Sequence, residues 1–484
     1  MSPAARTLAL AAALAAYGGG AAWAQRPLRN SDFVIDFTRG PVVGPGRAVG
    51  LGGAYASLVS GVGGVPFNPA GYAVRTGTEL SWFSIDPVIS VFFPQRNWDN
   101  SGAGGRDYDD FSVVQGGVGL HFGNLGVGYL TTVQSYELGA RNGFERPITV
   151  GMSSHHLGGG LLLGDGEVVL GAGLRIGFTN IRWSPVESDP NSGTELRYLG
   201  AAPEVGAVWR PTGQRIRLGM AFRSEVSALP IDFTPPQGGA IRRPTGCVED
   251  STGCFVVPRR IVLPWEAEIG ASVMLGERTF NIPWQDMGAL RRDLRRQQLD
   301  DRARREREHR LEIAAIGDEV ERATEDARWT AEERERRERE DSEHGTFSWR
   351  WRATQRAMLR DRPRRFLLIA FGLVAFGPVG RGQGIDAFMQ QQERPSGRDL
   401  LLSPRLGVEG EPLSNRLQLR AGTYVEPSRF TDVPARVHVT GGLDLRLFRW
   451  DAFKVVDPVD FELTFTMDYS YNYFDWGFGI GFWQ

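Results

Sequence analysis

Lysine is almost missing from this 484-residue chain, where Lys454 stands alone among 55 basic residues. That bias reads as coding composition rather than chemistry. With 57 acidic residues the net charge is −2, which leaves no overall basic footprint for nucleic acid. Cysteine is scarce as well. Cys247 and Cys254, in "TGCVEDSTGC", read as one small-loop disulfide of an exported chain. Two such ligands without nearby histidine make no metal site. Long apolar runs are missing beyond the N-terminus. The longest, "FLLIAFGLVAF" from Phe366, has 11 residues and is too short to cross a bilayer as a helix. Catalytic signatures are lacking too: no H-E-x-x-H, G-x-S-x-G or phosphate-loop pattern occurs. His155 and His156 are neighbours in a strand pattern and face opposite sides, and His438 sits alone among polar positions. "GVGGV" at Gly61–Val65 has the glycines of a dinucleotide loop without its strand and helix. No cofactor, no metal and no enzymatic activity is expected.

What is present starts with Met1–Ala24. A basic Arg6, the apolar run "TLALAAALAAY" and the ending Ala22-Trp23-Ala24 read as a signal peptide cleaved before Gln25.

Beyond it, two-residue alternation dominates. Val437, Val439, Leu443, Leu445 and Leu447 share one face, with Arg436, His438, Asp444 and Arg446 on the other. Phe461, Leu463, Phe465, Met467, Tyr469, Tyr471 and Tyr473 alternate with Glu462, Thr464, Thr466 and Asp468 in the same way. About 14 such segments occur, several longer than the five or six residues of a soluble strand. Aromatic residues collect at their ends, at Trp82–Phe83, Phe92–Phe93, Phe448 and Trp450, and Tyr469–Trp476. Short turns ("FGN", "GDG", "PTGQ") alternate with long connections such as 227–257 and 378–398. This is the pattern of a transmembrane antiparallel β-barrel with short periplasmic turns and long external loops. Its polar inward face is expected to carry Arg416, Arg420, Arg436, Asp444, Arg446, Glu462 and Asp468.

One region departs from alternation. Residues 291–341 are rich in Arg, Glu, Asp and Ala and lack proline, which favours helix with many i,i+4 ion pairs. Leu290, Leu294, Leu311, Ile316 and Val320 keep no heptad register. Gly317-Asp318 divides the region into two helices of roughly 40 Å each. The expected organisation is 1–24 signal peptide, 25–76 N-terminal segment, 77–276 strands 1–8, 277–363 charged helical periplasmic insertion, and 364–484 strands 9–14.

The stretch "GRAVGLGGAYASLVSGVGGVPFNPAGYA", Gly46–Ala73, precedes the first strand. Its Arg47-Ala48, Gly50-Leu51-Gly52-Gly53-Ala54-Tyr55 and Phe67-Asn68-Pro69-Ala70-Gly71 resemble the N-terminal signature of the FadL-type outer-membrane long-chain fatty-acid transporters and of the related PorV-like barrels. "LPWEAEIGASV" from Leu263 is similar to a late-strand pattern of that superfamily. The resemblance implies a 14-stranded outer-membrane barrel of a Gram-negative bacterium. It also implies that 25–76 folds inward as a hatch and that hydrophobic small molecules are the cargo. Gly50, Gly52, Gly53, Ala54, Tyr55, Asn68, Pro69, Ala70 and Gly71 would shape the hatch, and Tyr55, Phe67 and Tyr72 would touch an apolar ligand. The competing expectation is a PorV-like scaffold that uses 285–345 as a periplasmic docking arm for a protein partner. Lipid of the outer membrane surrounds the chain in either case.

Overall fold

The computed structural model describes residues 26–482, apart from 39, 76–81, 96–97, 99, 102–108, 139–147, 184–194, 232–255, 283, 362 and 451–458. The expected signal peptide and the Cys247–Cys254 pair lie outside the described residues.

Alternation of apolar and polar side chains gives each long segment one face for lipid and one for the interior, and only a closed sheet satisfies every backbone group of such segments. Fourteen antiparallel strands close into a barrel. They are β1 Phe83–Phe92, β2 Asp109–Phe122, β3 Leu125–Leu138, β4 Ile148–Leu163, β5 Val168–Trp183 and β6 Glu195–Trp209. β7 is Ile216–Arg223 with Val226–Pro230, and β8 is Arg260–Leu263 with Glu266–Gly276. The rest are β9 Phe366–Phe376, β10 Leu401–Leu413, β11 Leu417–Glu426, β12 Arg436–Trp450, β13 Val459–Ser470 and β14 Tyr473–Phe482. Closure pairs β14 with β1, from Gly477 opposite Phe92 to Ile480 opposite Ile89. β4 and β5 run 16 residues, ample for a tilted membrane strand.

The barrel is polar inside and apolar outside. Phe465, Met467, Leu443, Leu445, Ile269 and Phe371 are exposed on the outer wall, whereas Glu409, Arg420, Asp444, His438 and Asp468 are buried within. An apolar belt around the whole circumference is far larger than a soluble protein leaves bare. Among the described residues no helix is long and apolar enough to cross a membrane; the outward apolar faces of the strands are what fits a bilayer.

Three expectations need correction. Arg416 does not point inward. It sits exposed in the tight turn after Asn415, whose φ of 61° ends β10's alternation. Tyr473 does not continue the face of Tyr469. β13 stops at Ser470, Tyr471-Asn472 turns with Asn472 at φ 57°, and Tyr473 opens β14 buried on the inner side. The two helices are unequal. α1, Met287–Ala315, has 29 residues and α2, Glu319–Asp361, has 43, or about 43 and 65 Å. They lie antiparallel and join through charge rather than an apolar seam. Arg305 grips Glu333 through two bonds of 3.0 Å, and the His309 ring stacks on Trp329 at 4.1 Å. The hairpin leaves the barrel between β8 and β9, at the end with the short turns.

Candidate functional site

Between Gly46 and Val74 every residue but a few is buried, although the segment contains little regular structure. Glycine explains how backbone this irregular fits inside a barrel. Inward-facing glycines let it approach where any side chain would collide. A Cβ on Gly126 of β3 would fall 1.8 Å from the Tyr72 carbonyl oxygen, and one on Gly171 of β5 would fall 2.1 Å from that of Pro69. On Gly206 of β6 it would meet Asn68 Oδ1 at 2.0 Å, and on Gly219 of β7 the Ala56 oxygen at 2.2 Å. Across the bore, Cβ atoms on Gly407 of β10 and Gly422 of β11 would meet the Leu51 oxygen at 2.6 Å and the Gly52 nitrogen at 2.4 Å. The segment therefore touches opposite walls at once.

Polar contacts fasten it. Asn68 is fully enclosed, and its amide donates to Ala56 O and Ala207 O, both at 2.9 Å. Its Oδ1 accepts from Ala70 N at 3.0 Å and caps the 3₁₀ turn Pro69–Tyr72, where Pro69 supplies the fixed φ of a first helical position. Arg47 forks onto Glu409 of β10, with Nε–Oε2 at 2.8 Å and Nη2–Oε1 at 3.0 Å. Burial opposes the Arg47 charge, but the Glu409 carboxylate outweighs it, and the guanidinium is held more firmly protonated than usual. Arg420 of β11 shares Glu409 at 2.7 Å and also pairs with Asp444 of β12. Arg405 donates to Gly53 O at 3.0 Å, and Asp86 of β1 accepts from Val62 N at 2.7 Å. At the short-turn end Arg75 donates to Gly123 O at 3.0 Å, and its guanidinium lies 4.4 Å above the ring of Trp284, just ahead of α1.

Tyr55, Phe67 and Tyr72 all lie within this buried segment. Tyr55 and Phe67 meet edge to face at 5.5 Å, and Tyr72 packs with Val62, Val65 and Leu130. Burial, with help from the Glu204 carboxylate, pushes the Tyr72 phenol well above its usual range. None of the three lines either cavity described next.

The cavities flank the segment's first strand at the long-loop end. Val34–Asp36 pairs in parallel with Arg260–Val262 of β8 on one edge and with Gly382–Gln383 on the other. β8 bends at Pro264-Trp265: Glu266–Gly276 pairs with β9, while Arg260–Leu263 pairs with outer β7 and the N-terminal strand. The wall beyond the bend is thus bridged by residues that are not barrel strand. On one side lies a cavity of about 50 Å³, lined by Phe37, Trp98, Phe376, Ile385, Leu401 and Phe430. Asp36 and Arg429 also line it and pair at 2.8 and 2.9 Å, and the buried Ser396 hydroxyl there has no hydrogen-bond partner. On the other side a cleft of about 450 Å³ is lined by Asp32, Phe33, Val34, Leu229, Arg259, Arg260, Gly380 and Arg381.

Sequence reasoning missed several of these features. His438 is not alone. It bridges Asp468 and Glu426 at 2.7 Å each and stacks on Tyr424, whose hydroxyl donates to Asp468 at 2.6 Å. His156, fully buried, pairs with Glu204 at 2.9 Å, while His155 turns outward and meets the Tyr129 hydroxyl at 2.7 Å. Pro264 was the only signal for the bend in β8.

No protein-family model and no curated protein matches this sequence. Solved structures do resemble its shape. One is the CymD monoaromatic hydrocarbon channel, 10% identical, with 91% of this chain and 96% of that chain covered and a TM-score of 0.44. A second is a Pseudomonas aeruginosa FadL homologue, 10% identical, with coverage of 94% and 98% and a TM-score of 0.46. A third is the Pseudomonas putida toluene transporter TodX, 10% identical, with coverage of 94% and 99% and a TM-score of 0.44. The likeness is loose, and the barrel rests on its own closed ladder of strands.

Proposed function

We propose that this chain is an outer-membrane transporter that passes hydrophobic small molecules, with long-chain fatty acids in their class, through a barrel plugged by residues 25–76. The observation that carries the reading is the N-terminal segment itself. It reaches from the long-loop end, through glycine-lined walls, to Arg75 at the short-turn end. A bore filled and fastened in this way suits cargo that moves only when the plug shifts. The aromatic lining beside Val34–Asp36 lies next to wall that the barrel strands leave to the plug, and its volume of about 50 Å³ would have to widen as the plug shifts before it could hold an apolar cargo. The resemblance of Gly46–Ala73 to the FadL-type signature points the same way. Uptake of labelled fatty acid and of labelled toluene by cells with and without the gene tests it. Gene-dependent uptake of either is expected, and equal uptake of both in the two strains refutes it.

The projecting α1–α2 hairpin favours a second reading, a scaffold that docks a periplasmic protein through 285–345. Deleting the hairpin would then leave a folded barrel that loses a partner in pull-downs. A deletion that keeps every partner counts against it.

A further inference from the structure

Charge is unevenly spread along the helical insertion. From Met287 to His344, fifteen arginines stand against eighteen carboxylates, a net charge of −3. From Gly345 to Arg365, seven arginines (350, 352, 356, 360, 362, 364 and 365) stand against Asp361 alone, a net charge of +6. The basic stretch also carries Trp349 and Met358, 74% and 61% exposed.

This stretch is tethered at both ends to the barrel's short-turn rim. At one end, Arg291 meets His344 at 3.2 Å and Arg295 meets Asp341 at 2.7 Å. That register sets buried Met287 opposite Ser348, and Met287 is three residues beyond Trp284, the ring stacked on Arg75 in the barrel mouth. At the other end, α2 finishes at Asp361 and β9 begins at Phe366, a link that spans at most about 18 Å. Arg364 lies 4.0 Å from Glu411 of β10, which places the link beside the wall. The next outward residues, Leu367 and Phe371, belong to the lipid-facing belt.

We infer that Trp349, Arg350, Arg356 and Arg365 form a basic rim seated on the headgroups of anionic phospholipids in the leaflet at the short-turn end. Arginines held near an anionic surface each strengthen attachment roughly fivefold, and an exposed tryptophan favours the headgroup zone. Charge complementarity and continuity with the lipid-facing wall choose lipid over protein as the occupant. The acidic body of the hairpin is repelled by the same headgroups, which directs it away from the membrane. The inference rests on the membrane-embedded barrel and not on what the bore passes.

The test uses the full-length protein in detergent, with phosphatidylglycerol and phosphatidylcholine counted on it by native mass spectrometry. The wild type is expected to retain phosphatidylglycerol at least tenfold over phosphatidylcholine. R350E/R356E/R365E should lose that preference, whereas R350K/R356K/R365K should keep it, both barrels remaining heat-modifiable on gels. Equal retention of the two lipids by the wild type overturns the inference. So does a glutamate variant that keeps its lipid preference, or one that keeps it and instead loses a protein captured from envelope extract. Absence of gene-dependent cargo uptake by the wild type, with its lipid preference intact, would strike the transport reading alone.

Discussion

Replacing Asn68 by alanine removes three hydrogen bonds inside the bore, to Ala56 O, Ala207 O and Ala70 N. At roughly 1 kcal/mol net for each bond, the cost is about 3 kcal/mol. Gly206→Ala perturbs the same point from the wall side. Its Cβ would lie 2.0 Å from Asn68 Oδ1, 3.0 Å from Asn68 Cγ and 2.8 Å from Pro69 Cδ. Overpacking of this kind costs about 1–3 kcal/mol. In the double variant the Oδ1 and Cγ clashes disappear and only Pro69 resists, so the combined cost should fall short of the sum by more than about 1 kcal/mol. Hydrogen–deuterium exchange of residues 56–75 reads this directly, since each 1.4 kcal/mol is about tenfold in local opening. Asn68→Ala alone should speed exchange by about a hundredfold. Gly116→Ala, on the outer side of β2 with nothing within 4 Å, should change nothing. Additive costs, or a Gly206→Ala exchange pattern like that of Gly116→Ala, would refute the claim that wall and segment meet as closely as described.

Further outcomes follow from the same contacts. Arg47→Leu leaves Glu409 with Arg420 alone, so it should loosen the segment by about 1–3 kcal/mol and raise current noise in planar bilayers; wild-type noise would argue against Arg47 as a fastener. Hydrogen bonds from Arg305, aided by Arg337, hold Glu333 below its ordinary value of 4.5. That contribution to the hairpin is present above 4.5 and is lost as pH falls through the depressed folded value. Spin-label distances across α1 and α2 should widen only in strong acid, and Glu333→Gln should flatten the response. Mass mapping without reductant should find Cys247 joined to Cys254, and two free thiols would remove that bond.

The strands were legible because lipid outside and charge inside impose a strict two-residue period, as in Leu443, Leu445 and Leu447 against Asp444 and Arg446. The same period hid the β13–β14 turn, since Tyr469, Tyr471 and Tyr473 keep alternating while Asn472 reverses the chain. The fold's charge pairs were invisible for another reason. Arg420 and Glu409 are eleven residues apart and meet because β10 and β11 place them opposite each other, which only the register reveals. The glycines facing the bore gave no signal either. Gly126, Gly171, Gly206 and Gly219 look like ordinary strand glycines until the N-terminal segment is laid against them. The aromatic residues that line the smaller cavity, Phe37, Trp98, Phe376 and Phe430, come from four separate places in the chain, and only the fold brings them together.

Locking the N-terminal segment to the wall tests the account most directly. A Cβ on Gly50 would lie 3.2 Å from the Cα of Gly442 on β12, and a Cβ on Gly442 would lie 3.2 Å from the Cα of Gly50. Gly50→Cys with Gly442→Cys, in a chain with serine at positions 247 and 254, should therefore cross-link segment to wall. Uptake of a labelled hydrophobic cargo should stop in the oxidised protein and return on reduction. Uptake that is the same in both states would contradict the claim that cargo passes only when this segment moves.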